Sequence, residues 1–155
     1  MKNLLFNLVV ALLIPFFSFS QIKEHKEYYD NGKIKAEGKL KIGEKEGKWI
    51  FYHCDGKSIW LEGEFKNGLK EGEFVEYGWF GRTDTYHKRK SEFYKQGKLD
   101  GKSIHYHENG SVSKVDHFKC GEQHGESVFI NEEGNPWWKG VYKHGILVQG
   151  EAVNN

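Results

Sequence analysis

The sequence lacks a surplus of charge of either sign. Its 155 residues include 23 lysines and arginines against 22 aspartates and glutamates. A domain that binds nucleic acid usually carries a basic patch or a strongly positive net charge. No such surplus is present, so we expect no nucleic-acid partner.

Long hydrophobic runs are absent beyond the N-terminus. The apolar run from Leu4 to Phe17 follows a single positive charge at Lys2, and it is shorter than the roughly 20 residues that span a bilayer. Ser18 and Ser20 place small side chains where signal peptidase cleaves. We interpret residues 1–20 as a secretory signal and expect an exported protein, periplasmic or secreted, without a membrane span.

Common catalytic signatures are missing as well. The sequence has no G-x-S-x-G nucleophile pattern, no H-E-x-x-H metal pattern and no phosphate-binding loop, each of which sets reactive groups at a fixed spacing. We therefore expect no enzymatic activity, no cofactor and no metal.

Aromatic residues and glycine are plentiful by contrast. Hydrophobic residues make up only 37% of the chain, yet aromatic residues reach 15% and glycine contributes 19 residues. Such a composition does not favour one thick core, because a core of that kind needs many aliphatic side chains. It favours thin layers of strands joined by tight turns.

An internal repeat is the strongest signal in the sequence. One glycine anchors each of five copies, with spacings of 25, 29, 24 and 24 residues: Gly43, Gly68, Gly97, Gly121 and Gly145. A lysine stands two positions before every anchor, and an aromatic residue or leucine stands three positions before it. A second glycine follows four positions after the first four anchors, whereas the fifth copy is degenerate.

Each copy is predicted to form two strands. Apolar residues and glycine alternate with charged residues in the first strand, the pattern of a strand with one covered face, at Ile34, Ala36, Gly38 and Leu40 and again at Ile59, Leu61, Gly63 and Phe65. A turn at the anchor glycine leads to the second strand. Connections between copies contain Asn31-Gly32, Asp55-Gly56 or Asn109-Gly110, which are typical of type I′ turns.

These patterns predict an all-β fold, an elongated single-layer antiparallel meander of tandem β-hairpin repeats. Glycines on the covered face, Gly38, Gly63 and Gly140, leave room for a neighbouring ring to lie across the backbone. We expect Trp49, Trp60, Phe74 and Trp138 to supply those rings.

The repeat resembles a known family. The segments YYDNGKIKAEG, EGEFKNGLKEGEFVEY, YHENGSVS and KGVYKHG are similar to the MORN repeat, in particular to its bacterial variant, the YwqK-like antitoxin repeats. This resemblance covers residues 28–150 and implies an elongated sheet that serves as a scaffold for protein or membrane contacts. The expected organisation is a signal peptide (1–20), an N-terminal segment (21–27), five MORN-like repeats (28–150) and a C-terminal tail (151–155).

The third repeat is four residues longer than the second, and it is a candidate binding element. The extra residues fall near positions 77–84, which include Trp79, Phe80 and Arg82. A long loop on a regular scaffold is where binding specificity often resides. Two interpretations stay open, namely a recognition loop and a tolerated insertion whose aromatic residues pack back onto the sheet.

Two further segments are candidate contacts. The basic run of residues 87–90 includes Lys88 and Arg89, which could touch phosphate, a lipid head group or an acidic partner, or could simply be a solvated face. Trp137, next to Trp138, could stack on a sugar ring or cap the last repeat.

Histidine and cysteine do not predict a site. A turn centred on Asn109-Gly110 pairs His107 with position 112 and places His117 on the opposite face from His105, so three ligands do not converge on a metal. Cys54 and Cys120 belong to turns at opposite edges of the sheet. We expect no internal disulfide, which requires Cα atoms within about 7 Å.

The sequence thus favours an exported, non-enzymatic scaffold that mediates protein–protein interaction in the cell envelope. Two alternatives stay open, an antitoxin or immunity-type inhibitor of a toxin and a glycan-binding module. The partner is expected to be a protein, with lipid or glycan contact also open.

Overall fold

Eleven antiparallel strands form one open sheet. A computed structural model describes residues 21–80 and 85–153. The strands are β1 (Ile22–Tyr28), β2 (Ile34–Lys41), β3 (Glu44–Tyr52), β4 (Ile59–Lys66), β5 (Leu69–Phe80), β6 (Thr85–Lys95), β7 (Lys98–Tyr106), β8 (Val112–Lys119), β9 (Glu122–Ile130), β10 (Pro136–Lys143) and β11 (Ile146–Ala152). Each strand pairs with the next one along the chain. The predicted all-β, single-layer meander of tandem hairpins is therefore confirmed.

Each repeat contributes two neighbouring strands, from β2 and β3 in the first copy to β10 and β11 in the fifth. Strand β1 lies before the first copy and pairs with β2. With strands about 4.8 Å apart, the sheet is roughly 50 Å long. The signal-peptide prediction falls on residues 1–20, outside the described residues.

The two faces of the sheet bury little. We call the face that carries Trp49 and Phe74 face A, and the face that carries Val75 and Ser91 face B. Within the described residues, the fully buried apolar side chains are Ala36, Trp49, Phe74 and Val75. The packing is therefore local, between neighbouring strands, as in repeat proteins whose units contact only their neighbours.

Aromatic rings lie over glycines on face A, as predicted. Trp49 lies directly over Gly38, and Trp138 over Gly140. A Cβ atom at Gly63 would stand only 2.5 Å from the ring of Phe74. A missing side chain thus makes room for a large ring, which comes from the next strand at Gly38 and Gly63 and from the same strand at Gly140. The expected role of Trp60 differs, since its ring contacts Phe51 at 6.3 Å.

The same row of face A becomes polar in the third and fourth copies. Glu92 and Asp116 take the place of the glycines, and Ser103 and Ser127 take the place of the rings. Asp116 is buried and accepts hydrogen bonds from Ser127 Oγ at 2.6 Å and Gln123 Nε2 at 2.9 Å.

The register shifts twice in every copy, once within the hairpin and once between the hairpin and the strand before it. A bulge in the first strand of each hairpin puts two consecutive side chains on one face. Phe129 accordingly contacts both Trp137 at 5.3 Å and Trp138 at 5.4 Å. The predicted inward row from Ile59 to Leu61 is wrong for this reason, because the bulge falls between them.

The turns form two lines along the two long edges of the sheet. At the glycine edge, both central residues of each turn have positive φ, as in Ile42 (53°) and Gly43 (83°). This is the type I′ pattern. At the other edge, which we call the Asx edge, Gly32 has positive φ but Asn31 does not, and the Gly32 amide donates to the Tyr29 carbonyl at 2.9 Å. The predicted type I′ turns at Asn31-Gly32 and its equivalents are therefore wrong.

Candidate functional site

The hairpin of β5 and β6 is the irregular element of the sheet. Strand β5 has 12 residues, whereas β3, β7 and β9 have nine each. The extra length continues past the Asx edge, where Gly78 pairs with His87 and Trp79 with Tyr86. The insertion predicted as a loop is thus largely strand, since only residues 81–84 separate β5 from β6.

An aromatic cluster lies at the base of this hairpin, on face B. The rings of Tyr77 and Tyr86 are stacked with centroids 6.3 Å apart. Trp79 contacts Tyr86 at 5.3 Å, and His53 meets Tyr86 edge-on at 6.3 Å. Trp79 nevertheless keeps 54% of its surface exposed. The insertion therefore packs one side onto the sheet and presents the other to solvent.

Hydrogen bonds hold Tyr77 in place. Its hydroxyl donates to Glu62 Oε1 at 2.8 Å, and Glu62 also pairs with Lys48 Nζ at 2.8 Å. Burial, together with the bond to Glu62, raises the pKa of Tyr77 to about 12. The pKa of Glu62 is lowered, chiefly by the hydrogen bond from Lys48. This anchor makes the base of the hairpin a fixed support for Trp79.

Two buried polar atoms in the cluster have no hydrogen-bond partner in the described part of the chain, namely His53 Nε2 and the Tyr86 hydroxyl. Burial raises the pKa of Tyr86, and the nearby carboxylate of Asp55 adds to this effect. The hydroxyl therefore keeps its proton as a donor. Unpaired buried donors are uncommon in folded proteins, so the cluster differs from the rest of the sheet.

The basic run does not form one patch. Lys88 is exposed opposite Tyr77, whereas the stem of Arg89 lies against Gly78. Lys90 is paired with Glu92 at 3.0 Å, and His87 Nε2 donates to the Glu108 carbonyl at 2.7 Å. The hairpin thus presents Trp79 and Lys88 on face B, whereas Arg89 lies on face A, where the Cβ direction of Gly78 points.

The remaining predicted site residues are not part of this cluster. Trp137 is 51% exposed and lies in β10, five strands from β5, a distance of roughly 24 Å. The backbone of Phe80 ends β5, but its side chain lies outside the described residues, as does Arg82.

The described part of the chain has neither a metal-binding cluster nor a membrane-spanning helix. Within residues 21–80 and 85–153, no group of three or more histidine, cysteine or acidic side chains is arranged to hold a metal ion. His105 pairs with Lys114 and His117 with Lys102, as predicted, but Tyr106 rather than His107 pairs with Val112. Over the same part of the chain, no helix has the length and apolar character needed to cross a membrane.

The two cysteines lie at opposite edges of the sheet. Cys54 and Cys120 are both exposed thiols. Cys54 lies at the Asx edge and Cys120 at the glycine edge, where the Cys120 amide donates to Asp100 Oδ2 at 3.1 Å.

Comparison with known proteins adds little to the structure. No protein-family model matches the chain, and no curated protein matches it. A crystal structure of a protein with unknown function from Bacteroides fragilis is similar at 11% sequence identity, over 87% of this chain and 94% of that one, with a TM-score of 0.23. A likeness of that size carries no argument about fold or function.

Sequence reasoning missed His53 and Tyr86. A signal was present, since alignment of the copies places His53 at the position of Tyr29 and His107, directly before the irregular copy. The sequence does not show that the longer strand β5 leaves His53 without the main-chain carbonyl to which Tyr29 and His107 donate.

Proposed function

We propose that this chain is an exported, non-enzymatic repeat scaffold that mediates protein–protein interaction in the cell envelope, with the β5–β6 hairpin as its recognition element. The observation that carries the proposal is the exposure of Trp79, 54%, on a strand whose base is fixed by stacked rings and a hydrogen-bonded tyrosine. Exposed tryptophans on rigid supports are typical anchors of protein interfaces.

Charge next to the anchor supports the same proposal. Lys88 lies on the same face as Trp79, two positions beyond the Tyr86 that pairs with it, and a positive charge beside an apolar anchor favours a negatively charged partner. A partner with acidic residues around an apolar pocket would match this surface. The resemblance to YwqK-like antitoxin repeats supports a narrower version, in which that partner is a toxin.

The test is capture of a partner on immobilised protein that starts at Gln21. Envelope extract is passed over the wild-type chain, and bound proteins are identified by mass spectrometry and then titrated as purified proteins. We expect saturable binding that Trp79→Ala weakens at least tenfold, in line with the loss of an interface anchor.

Trp60→Ala is the matched control, because Trp60 is also exposed (43%) but contacts Phe51 on face A. It should leave binding unchanged. Equal binding by the wild type and Trp79→Ala would contradict the proposal, as would the absence of any saturable protein. Binding of polysaccharide instead of protein would support the glycan alternative.

A further inference from the structure

One repeat position acts as a hydrogen-bond donor in two of its copies. The Tyr29 hydroxyl donates to the main-chain carbonyl of Tyr52 at 2.7 Å. His107 Nε2 donates to the main-chain carbonyl of Ile130 at 2.8 Å. In both cases the acceptor lies 23 residues further along the chain, on the neighbouring hairpin. This position is therefore built to bind a peptide carbonyl.

His53 occupies the same position in the second copy but lacks such an acceptor. Tyr77 corresponds to Tyr52 one repeat later, 25 residues on, so its carbonyl is the expected acceptor. However, β5 does not turn after Tyr77. It continues to Phe80 and pairs with β6. The longer hairpin thus leaves His53 Nε2 without a partner among the described residues.

Tyr86 adds a second donor beside the first. Its hydroxyl is also buried and unpaired in the described chain, and its ring meets that of His53 at 6.3 Å. Buried donors that lack an acceptor are unfavourable, and a ligand that supplies the acceptor recovers this free energy. Two neighbouring donors suit one carbonyl oxygen, which has two lone pairs.

We propose that His53 and Tyr86 together bind a main-chain carbonyl of the partner protein, in place of the internal carbonyl that the regular copies supply. This inference rests on the proposed function and specifies the chemistry of the same site. A neutral acceptor fits better than a carboxylate, because the carboxylate of Asp55 lies near Tyr86 and would repel a second negative charge.

Trp79 lies beside Tyr86, one of the two donors. Its ring contacts Tyr86 at 5.3 Å but is more than half exposed, and exposed side chains change rotamer within nanoseconds. A partner that engages Trp79 therefore also reaches the ring of Tyr86. The apolar contact and the hydrogen bonds belong to one recognition event.

The experiment uses the blocked tripeptide N-acetyl-Ala-Ala-Ala-amide as a source of peptide carbonyls and sodium acetate as a charged control. Imidazole nitrogen resonances of the chain from Gln21 are followed by NMR during each titration. We expect a saturable shift of His53 Nε2 with the tripeptide and a smaller one with acetate. His107 is the internal control and should not shift, because its acceptor is already in place.

Tyr86→Phe separates this role from a structural one. It should weaken tripeptide binding by about tenfold while leaving the urea midpoint of the free protein unchanged or higher, because an unpaired buried hydroxyl is removed. Tyr29→Phe is the matched control, since its hydroxyl is already bonded. It should lower the urea midpoint and leave tripeptide binding unchanged.

Three results would overturn the inference: no shift of His53, equal shifts of His53 and His107, or unaltered tripeptide binding by Tyr86→Phe. Each of these leaves the proposed function standing if Trp79→Ala still weakens binding of the captured partner. Conversely, carbonyl binding at His53 without any captured partner would support the carbonyl site itself and remove the proposed function, together with the partner protein as the source of the carbonyl.

Discussion

Face A is built in two ways along one sheet. In the first two copies, Trp49 and Phe74 lie over Gly38 and Gly63. In the third and fourth, the same pair of positions holds a carboxylate and a serine, as in Asp116 and Ser127. The two positions change together, because a ring needs an empty place beside it and a buried carboxylate needs a donor. A pair of cross-strand positions, rather than a single residue, is thus the unit of this repeat.

The largest expected difference between the two regions is in burial. Trp49→Ala should lower the free energy of unfolding by about 3 to 5 kcal/mol, because a fully buried ring leaves a cavity. Urea denaturation followed by circular dichroism measures the change. If Trp49→Ala cost less than Ser127→Ala, the comparison would be wrong.

The glycine under each ring gives the second prediction. Gly63→Ala should cost about 1 to 3 kcal/mol, because the new methyl group would overlap the Phe74 ring. In a Phe74→Ser background the same change should cost far less, as expected for two coupled sites. Equal costs in both backgrounds, measured by urea denaturation, would show that the two positions are independent.

The polar region should depend on one hydrogen-bonded carboxylate. Ser127→Ala removes a donor to Asp116, leaving Gln123 and Lys114 as its partners. We expect a loss of about 1 to 2 kcal/mol in the free energy of unfolding. Ser111→Ala, at an exposed turn, is the control and should change stability by no more than about 0.5 kcal/mol.

The smallest expected effect is a difference between the regions in how the free energy of unfolding depends on pH. Burial, with Lys90 and Lys114 on either side, lowers the pKa of His105 below its usual 6.5. The unfolded chain therefore binds this proton first, so stability is complete above about pH 6.5 and declines as the pH falls toward the folded value. His105→Gln should remove that part of the decline.

Carboxylates of the aromatic region respond at lower pH. The pKa of Glu62 is lowered, so its contribution is present above its unfolded value of about 4.3 and is lost as the pH falls further. Glu62→Gln should therefore lower stability above that value, remove the part of the decline that falls below it, and leave the decline near pH 6 unchanged. Urea midpoints between pH 7 and pH 3 measure both effects, and identical profiles for the two variants would contradict the assignment.

Much of the fold could be predicted from the repeat. Period-two alternation and the anchor glycines predicted the meander, and the small size of Gly38 and Gly63 predicted the overlying rings. The bulges were missed because Trp60 and Leu61 are both apolar and give no sign of a shared face. The type I′ turns were assigned to the wrong edge, since Ile42 is a bulky residue that seldom adopts positive φ.

The candidate site was only partly predictable. The extra length of the third copy indicated the hairpin, and Trp79 was identified from its position within it. Donors at His53 and Tyr86 become unusual only when the registers of β5 and β6 are known, because Tyr29 and His107, at the position of His53 in two other copies, each donate to a main-chain carbonyl. Whether a main-chain carbonyl lies near His53 depends on the path of β5, which the sequence alone does not show.

The glycine edge has a consequence for how such a chain can change in length. There, the amide of each anchor glycine from the second copy onward donates to a carbonyl near the start of the second strand of the preceding hairpin, as Gly68 does to Lys45 and Gly145 to Gln123, both at 2.9 Å. These bonds use main-chain atoms alone, and a carboxylate of the preceding hairpin accepts from the adjacent amide as well, as Glu46 does from Asn67 and Glu71 from Gln96. Duplicating one copy would add two strands, about 10 Å of sheet, and the added copy could form the same glycine bond to its neighbour. Because the same main-chain bond recurs between successive copies, the number of copies can set the length of the protein.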